Sequence, residues 1–312
     1  MANTLNGTIY TNIARAGFDY YLAMLTPIMK FSTDFSNEVR EQGTSVQTRL
    51  IPAPKAAQDL TDDLAGSYAS ATGDMTTTAV TVNLNKHPVT GFHFSDTEYN
   101  AIASGVLNDT VTRVIKTHAY TIAKAVLDNV FALVTLANYG NAALISTAAN
   151  FDADDMVDLR AIAVKAGWTP FLGRNGAVSV LNPDYYGGLL KDEAVSDYSA
   201  SQSDALRSGT LPLLSGFEIV ESATLPNNSE DLTGFIATPD ALAIAMRAPQ
   251  TQASSRFEAY EVMTDDVSGA VMTYAAIFNQ TTRRIEHTFE VLHGAAKANG
   301  SALRRIVGAS GT

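Results

Sequence analysis

Thr44-Ser-Val-Gln-Thr-Arg-Leu-Ile51 and Thr78-Ala-Val-Thr-Val-Asn-Leu84 decide how this chain folds. In both, apolar and polar residues alternate, the period of a strand with one solvated face. Between them lie Pro52, Pro54 and a polar crest, Gln58-Asp-Leu-Thr-Asp-Asp-Leu-Ala-Gly66. Two strands joined by so long a tip make a hairpin too thin to be stable alone. The segment Gly43–Phe94 has no apolar core of its own. It needs a surface to lie on, and a neighbouring subunit of an assembly would supply one.

Working outward, Ser95-Asp-Thr-Glu98 reads as a capping box, in which a hydroxyl and a carboxylate satisfy free amides of a first helical turn. No proline follows until after Asn138-Tyr-Gly140, and Tyr99, Ile102, Val106, Val114, Ile122, Val126, Val130 and Leu133 recur at helical spacing. Unbroken, this spine would be about 60 Å long. Upstream, residues 1–42 read as an arm with one amphipathic helical piece, Phe18-Asp-Tyr-Tyr-Leu-Ala-Met-Leu25, ending before Pro27.

Downstream of Gly140 short strands and helices alternate. Asp152 to Lys165 reads as a helix with acids at its start and Gly167 at its end. Ala177-Val-Ser-Val-Leu181 reads as a buried strand, followed by Asn182-Pro183 opening a short helix. Residues 191–210 form a polar loop. Phe217–Val220 and Phe235–Ala237 read as strands, and Thr238-Pro239-Asp240 as the start of a helix over Ala241–Met246. Beyond Arg256 the pattern returns to strands at 257–263, 270–279, 283–292 and 303–307, with Gly294 and Asn299-Gly300 as turn signals.

Composition bounds the function. Charged residues make up 17% of the 312 residues, against about 25% in an ordinary soluble domain; either much surface is buried against other copies, or Ala, Thr and Ser simply replace charge. The net charge is −11. Arg283 to Thr312 carries +3, leaving −14 for the rest, so there is no basic stripe for nucleic acid. The absence of cysteine excludes disulfides and thiol chemistry. Neither a secretory signal nor a membrane-spanning apolar run is visible.

A search for chemistry returns no catalytic, cofactor-binding or metal site. Phosphate-loop, dinucleotide, nucleophile-elbow and zincin motifs are all missing. On one continuous strand His287 and His293 would lie about 20 Å apart, too far for one ion. Asp152, Asp154, Asp155 and Asp158 read as helix capping and dipole complement more than as a cation site. Trp168, the single tryptophan, reads as a core anchor.

The order of parts resembles the major capsid proteins of tailed bacteriophages, whose architecture is the HK97 fold. The likeness runs through Val82-Asn-Leu-Asn-Lys-His-Pro-Val-Thr-Gly-Phe-His-Phe-Ser-Asp-Thr-Glu98, Ala177–Tyr186, Leu214–Val220 and Phe235–Met246. It is similar to the P22-like branch, without that branch's large inserted domain. The resemblance implies an α+β fold in four parts: an N-terminal arm (1–42), an extended hairpin or E-loop (43–94), a P-domain with spine helix (95–150 and 264–312) and an α/β A-domain (151–263). It implies a non-enzymatic coat that assembles with itself into hexamers and pentamers of an icosahedral shell. That shell would enclose double-stranded DNA without reading its sequence. The chain would act without cofactor or membrane, beside a separate scaffolding protein and a portal, and would be assembled in the host bacterial cytoplasm and carried in the virion. Arg49, Lys55, Asp59, Asp62, Asp63 and Asp74 are the expected inter-subunit contacts; each is otherwise a solvated charge. Some relatives join a hairpin lysine to a P-domain asparagine, for which Lys55 and Asn279 or Asn299 have the right residue types. The alternative is an encapsulin-type shell holding enzyme cargo, which would need a groove for a cargo peptide lined by such residues as Phe18, Tyr21 and Leu25; these read first as packing on the spine helix.

Overall fold

The N-terminal arm is a core helix. In a computed structural model, which describes residues 5–50, 78–95, 98, 108–173, 176–192, 211, 213–251, 257–282 and 284–309, α1 spans Leu5–Leu25. Ala14, Phe18, Tyr21 and Leu25 follow each other at steps of four, three and four, so one stripe is buried. That stripe packs on α2, Asn108–Phe131, whose buried face holds Ile115, Ala119, Ile122 and Val126. Gly17 lies on the same side, where a Cβ would come within 2.7 Å of the Phe289 ring. A strand, β1 (Ser32–Arg40), completes the N-terminal region.

The hairpin follows as β2 (Ser45–Leu50) and β3 (Thr78–Asn83), antiparallel with Ser45 opposite Asn83 and Leu50 opposite Thr78. β4 (Val89–Phe94) leads to the spine. The capping box is formed: the Ser95 amide and hydroxyl donate to Glu98 Oε2 at 2.7 and 2.8 Å, and the Glu98 amide donates to Ser95 Oγ at 3.4 Å. Of the expected spine stripe, Tyr99, Ile102 and Val106 lie outside the described residues.

The spine stops at Phe131, earlier than the expected Tyr139. At its end the Leu133 and Val134 amides reach back three residues, to Val130 O and Phe131 O, tightening the last turn. The side chain of Asn228 donates to Phe131 O and Val134 O at 3.0 and 2.9 Å. A one-turn helix, α3 (Leu136–Tyr139), restarts with its first amide donating to Glu230. The break is thus imposed by a distant loop; the 24 described residues of α2 span about 36 Å.

The remaining elements are β5 (Leu144–Ser146), α4 (Ala153–Lys165), β6 (Val178–Leu181), α5 (Pro183–Lys191), β7 (Glu218–Glu221), β8 (Leu232–Ala237), β9 (Leu242–Pro249), β10 (Ala259–Thr264), β11 (Val271–Asn279), β12 (Arg284–Glu290), β13 (Leu292–Lys297) and β14 (Leu303–Gly308). They form a five-stranded sheet β5-β14-β8-β6-β7, a four-stranded sheet β10-β11-β12-β4 and a three-stranded sheet β1-β9-β13. α1 and α2 pack with the four-stranded sheet around Tyr274 and Phe289. α4 and α5 cover the five-stranded sheet over a second cluster that includes Trp168, the expected anchor.

Three expectations are corrected. The helix expected over Ala241–Met246 is a single 3-10 turn, Pro239–Ala241, running into β9. Leu242 to Pro249 are buried throughout, parallel to β1 on one side and antiparallel to β13 on the other. A run without a polar face suits a central strand as well as a buried helix, and periodicity does not separate the two. Gly294 is not a turn but lies inside β13 opposite Ala245. Asn299-Gly300 closes no hairpin, because β13 pairs with β9 whereas β14 pairs with β5 and β8. The sheets also cross the expected domain limits: β14 joins the strands of the 151–263 block, and β9 leaves them for β1 and β13.

Candidate assembly arm and its root

The root of the hairpin is built as a fixed joint. Gly43 N donates to Leu84 O at 2.7 Å and Leu84 N to Thr44 O at 2.8 Å, closing the base of the arm. Beyond it, Lys86 and His293 exchange two backbone bonds, at 3.1 and 2.9 Å. Val82 and Leu84 are buried against Ala243, Ala245 and Leu292, so the return strand packs on β9 and β13. Gly294 makes this possible: any Cβ there would overlap the Asn83 carbonyl. Alternation identified the strands of the arm but not this seat, because Gly294 looks like any turn glycine in sequence.

Polar side chains reinforce the root. His87 Nε2 lies 3.1 Å from Glu290 Oε2. His293 is buried, and neither ring nitrogen has a hydrogen-bond partner. Burial, with Lys86 and His87 nearby, pushes its pKa down to about 4. Next to the root, buried Arg247 on β9 pins β1 by donating to Asp34 O at 2.5 Å and pairing with Asp34 Oδ1 at 2.7 Å. Nothing in the sequence pattern singled out Arg247.

Of the expected contact residues, one falls on a described strand. Arg49 is in β2, opposite Ala79. Lys55, Asp59, Asp62, Asp63 and Asp74 lie outside the described residues.

Elsewhere the titratable groups have structural roles. His287 is buried among Phe92, Phe94 and Tyr10, with Nδ1 2.6 Å from the Tyr274 hydroxyl; burial pushes its pKa down to about 4. It is on β12 and His293 on β13, in different sheets, and no metal-binding group of three exists among the described residues. Asp152 caps α4 by accepting from the Asp154 and Asp155 amides. Asn279 closes the β11–β12 turn: its Oδ1 accepts from the Thr281 and Thr282 amides, and its Nδ2 donates to Glu286 at 2.8 Å. Asn299 accepts from Ser301 N and Oγ. Phe18, Tyr21 and Leu25 are core residues against α2, not the lining of a groove. Among the described residues no helix is long and apolar enough to cross a membrane.

No family model matches the chain, and no curated protein matches it. Solved structures do. The capsid of Ralstonia phage GP4 is 10% identical over 89% of this chain and 86% of that one, with a TM-score of 0.54. The capsid of cyanophage P-SCSP1u is 13% identical over 90% and 87%, with a TM-score of 0.53. The virus-like particle from Pyrococcus furiosus is 12% identical over 96% and 99%, with a TM-score of 0.50. Sequences this far apart share a fold and little else, and here the shared fold spans nearly the whole of each chain. With its hairpin arm, capped spine and helix-covered five-stranded sheet, the chain has the HK97-like α+β fold of tailed-phage capsid structures.

Proposed function

We propose that this chain is a major capsid protein, which assembles with itself into the icosahedral head of a tailed phage around double-stranded DNA. The observation that carries the reading is the joint at the base of the hairpin. A fold devotes β9, β13 and a buried glycine to anchoring two strands that cannot be stable as a free pair. Such an investment makes sense if the arm reaches another subunit. The fold shared with phage capsids supplies the setting. Each contact can be weak, because a closed shell holds every subunit through many neighbours.

In this reading 43–94 is the E-loop, 1–42 the N-terminal arm, 95–150 with 264–312 the P-domain and 151–263 the A-domain, with β14 and β9 shared across the last two. Arg49, Lys55, Asp59, Asp62, Asp63 and Asp74 are the polar contacts to the next copy. Copies form hexamers and pentamers with a separate scaffolding protein and a portal, in the host cytoplasm, and end in the virion. The net charge of −11 suits a wall that repels packaged DNA better than a clamp that binds it. The role is structural, without catalysis.

Likeness to the Pyrococcus furiosus virus-like particle favours a second reading, an encapsulin-type shell. Against it, Phe18, Tyr21 and Leu25, which such a groove would need, are buried in the core, as their spacing implied. Negative-stain microscopy of the purified chain tests both: closed particles support a shell, and co-purifying DNA or an enzyme separates the two. A chain that stays monomeric under all conditions, with its hairpin folded, overturns both.

A further inference from the structure

The turn between β13 and β14 sets an asparagine against its own backbone. The chain has three Asn-Gly pairs, Asn6-Gly7, Asn175-Gly176 and Asn299-Gly300. The first lies in α1, where a helical backbone keeps the next nitrogen away from the side-chain carbonyl. Asn175 lies outside the described residues. Asn299-Gly300 lies in an exposed turn, closed by the Ala302 amide donating to Asn299 O at 3.2 Å.

The surroundings of the Asn299 side chain favour attack on its Cγ. Its Oδ1 accepts from the Ser301 amide at 3.0 Å and from the Ser301 hydroxyl at 2.7 Å. Two donors on one carbonyl oxygen draw electrons from Cγ, and they stand where negative charge collects when a nucleophile adds to it. The next nitrogen along the chain is that of Gly300. It donates no hydrogen bond among the described residues, and no side chain on its own residue screens it. Asn299 Nδ2 is also unbonded among the described residues, so nothing retains it as a leaving group. Asn299 is exposed, so water reaches the site.

We propose that Asn299 is a self-modification site, which converts to aspartate and isoaspartate through a cyclic imide with Gly300 while Ser301 stabilises the oxyanion. The Gly300 nitrogen gives its proton to solvent and bonds to Cγ, and the displaced electron pair goes to Oδ1. That pair returns as the Cγ–Nδ2 bond breaks, and the nitrogen takes up a proton and leaves as ammonia. Water then opens the ring. Cleavage of the nitrogen–Cγ bond leaves aspartate in the original backbone. Cleavage of the original peptide bond leaves isoaspartate, whose backbone runs through Cγ and is one methylene longer. Either product adds a negative charge to a chain already at −11. The isoaspartyl form also disturbs a clamped turn: the Asn299 amide donates to Asp240 O at 3.1 Å, and the Thr238 amide to Ala302 O at 2.9 Å. These bonds tie the end of β13, the strand that seats the hairpin, to the turn between β8 and β9. The chemistry needs only the chain and water, and it does not depend on the shell reading.

The test is ageing of the full-length chain in mildly alkaline buffer, folded or in urea. Peptides spanning the turn are followed by mass spectrometry, with fragmentation that separates aspartyl from isoaspartyl forms. The folded chain should convert at Asn299, and each event in heavy-oxygen water should leave one heavy oxygen in the peptide. Ser301→Ala should slow conversion of the folded chain by about three- to tenfold, the worth of one hydrogen bond to the oxyanion, and should leave the rate in urea unchanged. Gly300→Ala should all but stop conversion. A Cβ there meets the flexible end of Lys297 at 3.0 Å and the Asn138 carbonyl at 3.3 Å, so this variant should still fold, as circular dichroism will show. Conversion at Asn299 only in urea, or a Ser301→Ala effect that is absent or equal in both states, overturns the proposal.

Discussion

Acidification should destabilise the fold, and two buried histidines, one of them at the hairpin root, set how much. His287 and His293 are both buried, and both have pKa values pushed from 6.5 down to about 4, mainly by burial. When a histidine's pKa is depressed by folding, the unfolded chain takes up protons first as pH falls. Its contribution to stability is intact above about pH 6.5 and is lost progressively toward about pH 4. At about pH 5 an unfolded histidine is almost wholly protonated and a folded one almost wholly neutral, which costs about 2 kcal/mol per site and about 4 kcal/mol for the pair. His293→Leu separates the two. The His293 ring nitrogens have no hydrogen-bond partner, so replacing them with a methyl-bearing side chain breaks no bond. Stability at about pH 7.5 should change by less than about 1 kcal/mol, while about half of the loss between about pH 7.5 and 5 should disappear. The assay is urea denaturation followed by far-ultraviolet circular dichroism across that range. A variant whose stability falls with pH as steeply as the unmodified chain would refute the assignment of the acid sensitivity to this buried ring.

Deleting Pro52 to Thr77 should leave a folded monomer that forms no particles, because the residues described in the two large cores come from other parts of the chain; sedimentation velocity and circular dichroism read the two properties separately. Gly294→Ala should cost about 1–3 kcal/mol by forcing a methyl against the Asn83 carbonyl, and should open the Gly43–Phe94 segment to limited proteolysis. Asn228→Ala should cost about 2 kcal/mol, since it removes both bonds to the end of α2 and leaves a Cβ at φ 55°. Asn228→Gly, which keeps only the bond loss, should cost less; equal losses in thermal denaturation would mean the backbone strain contributes nothing.

Much of the fold was legible because its signals are local. The Ser95–Glu98 box, the Asp152 cap, the Asn182-Pro183 start and the alternating hairpin each depend on residues within a few positions of one another, and each formed as expected. The misreadings share the opposite cause. β9 has no strand period to read, because burial between β1 and β13 erases it. The end of the spine is not written near Phe131, because the groups that stop it, Asn228 and Glu230, lie 94 to 97 residues from the backbone groups they bind. Gly294 resembles a turn residue because a glycine required by a neighbouring backbone looks the same in sequence as one required by a positive φ.

The candidate site was less legible for a related reason. A surface that binds another copy of the same chain needs no rare residue type, only common ones placed on matching faces. Buried and exposed residues of one type look alike until strand alternation is known: the pairing of β5 with β14 turns Leu144 toward the core and its neighbour Ile145 out of it. The same logic applies to the arm. Its charged residues would be solvated surface on a monomer, and only a root fixed by Leu84, Lys86, His293 and Gly294 makes their direction matter. A rigid joint transmits the orientation of the core to the tip, so a substitution at the joint should disturb assembly more than one of equal size among the tip charges.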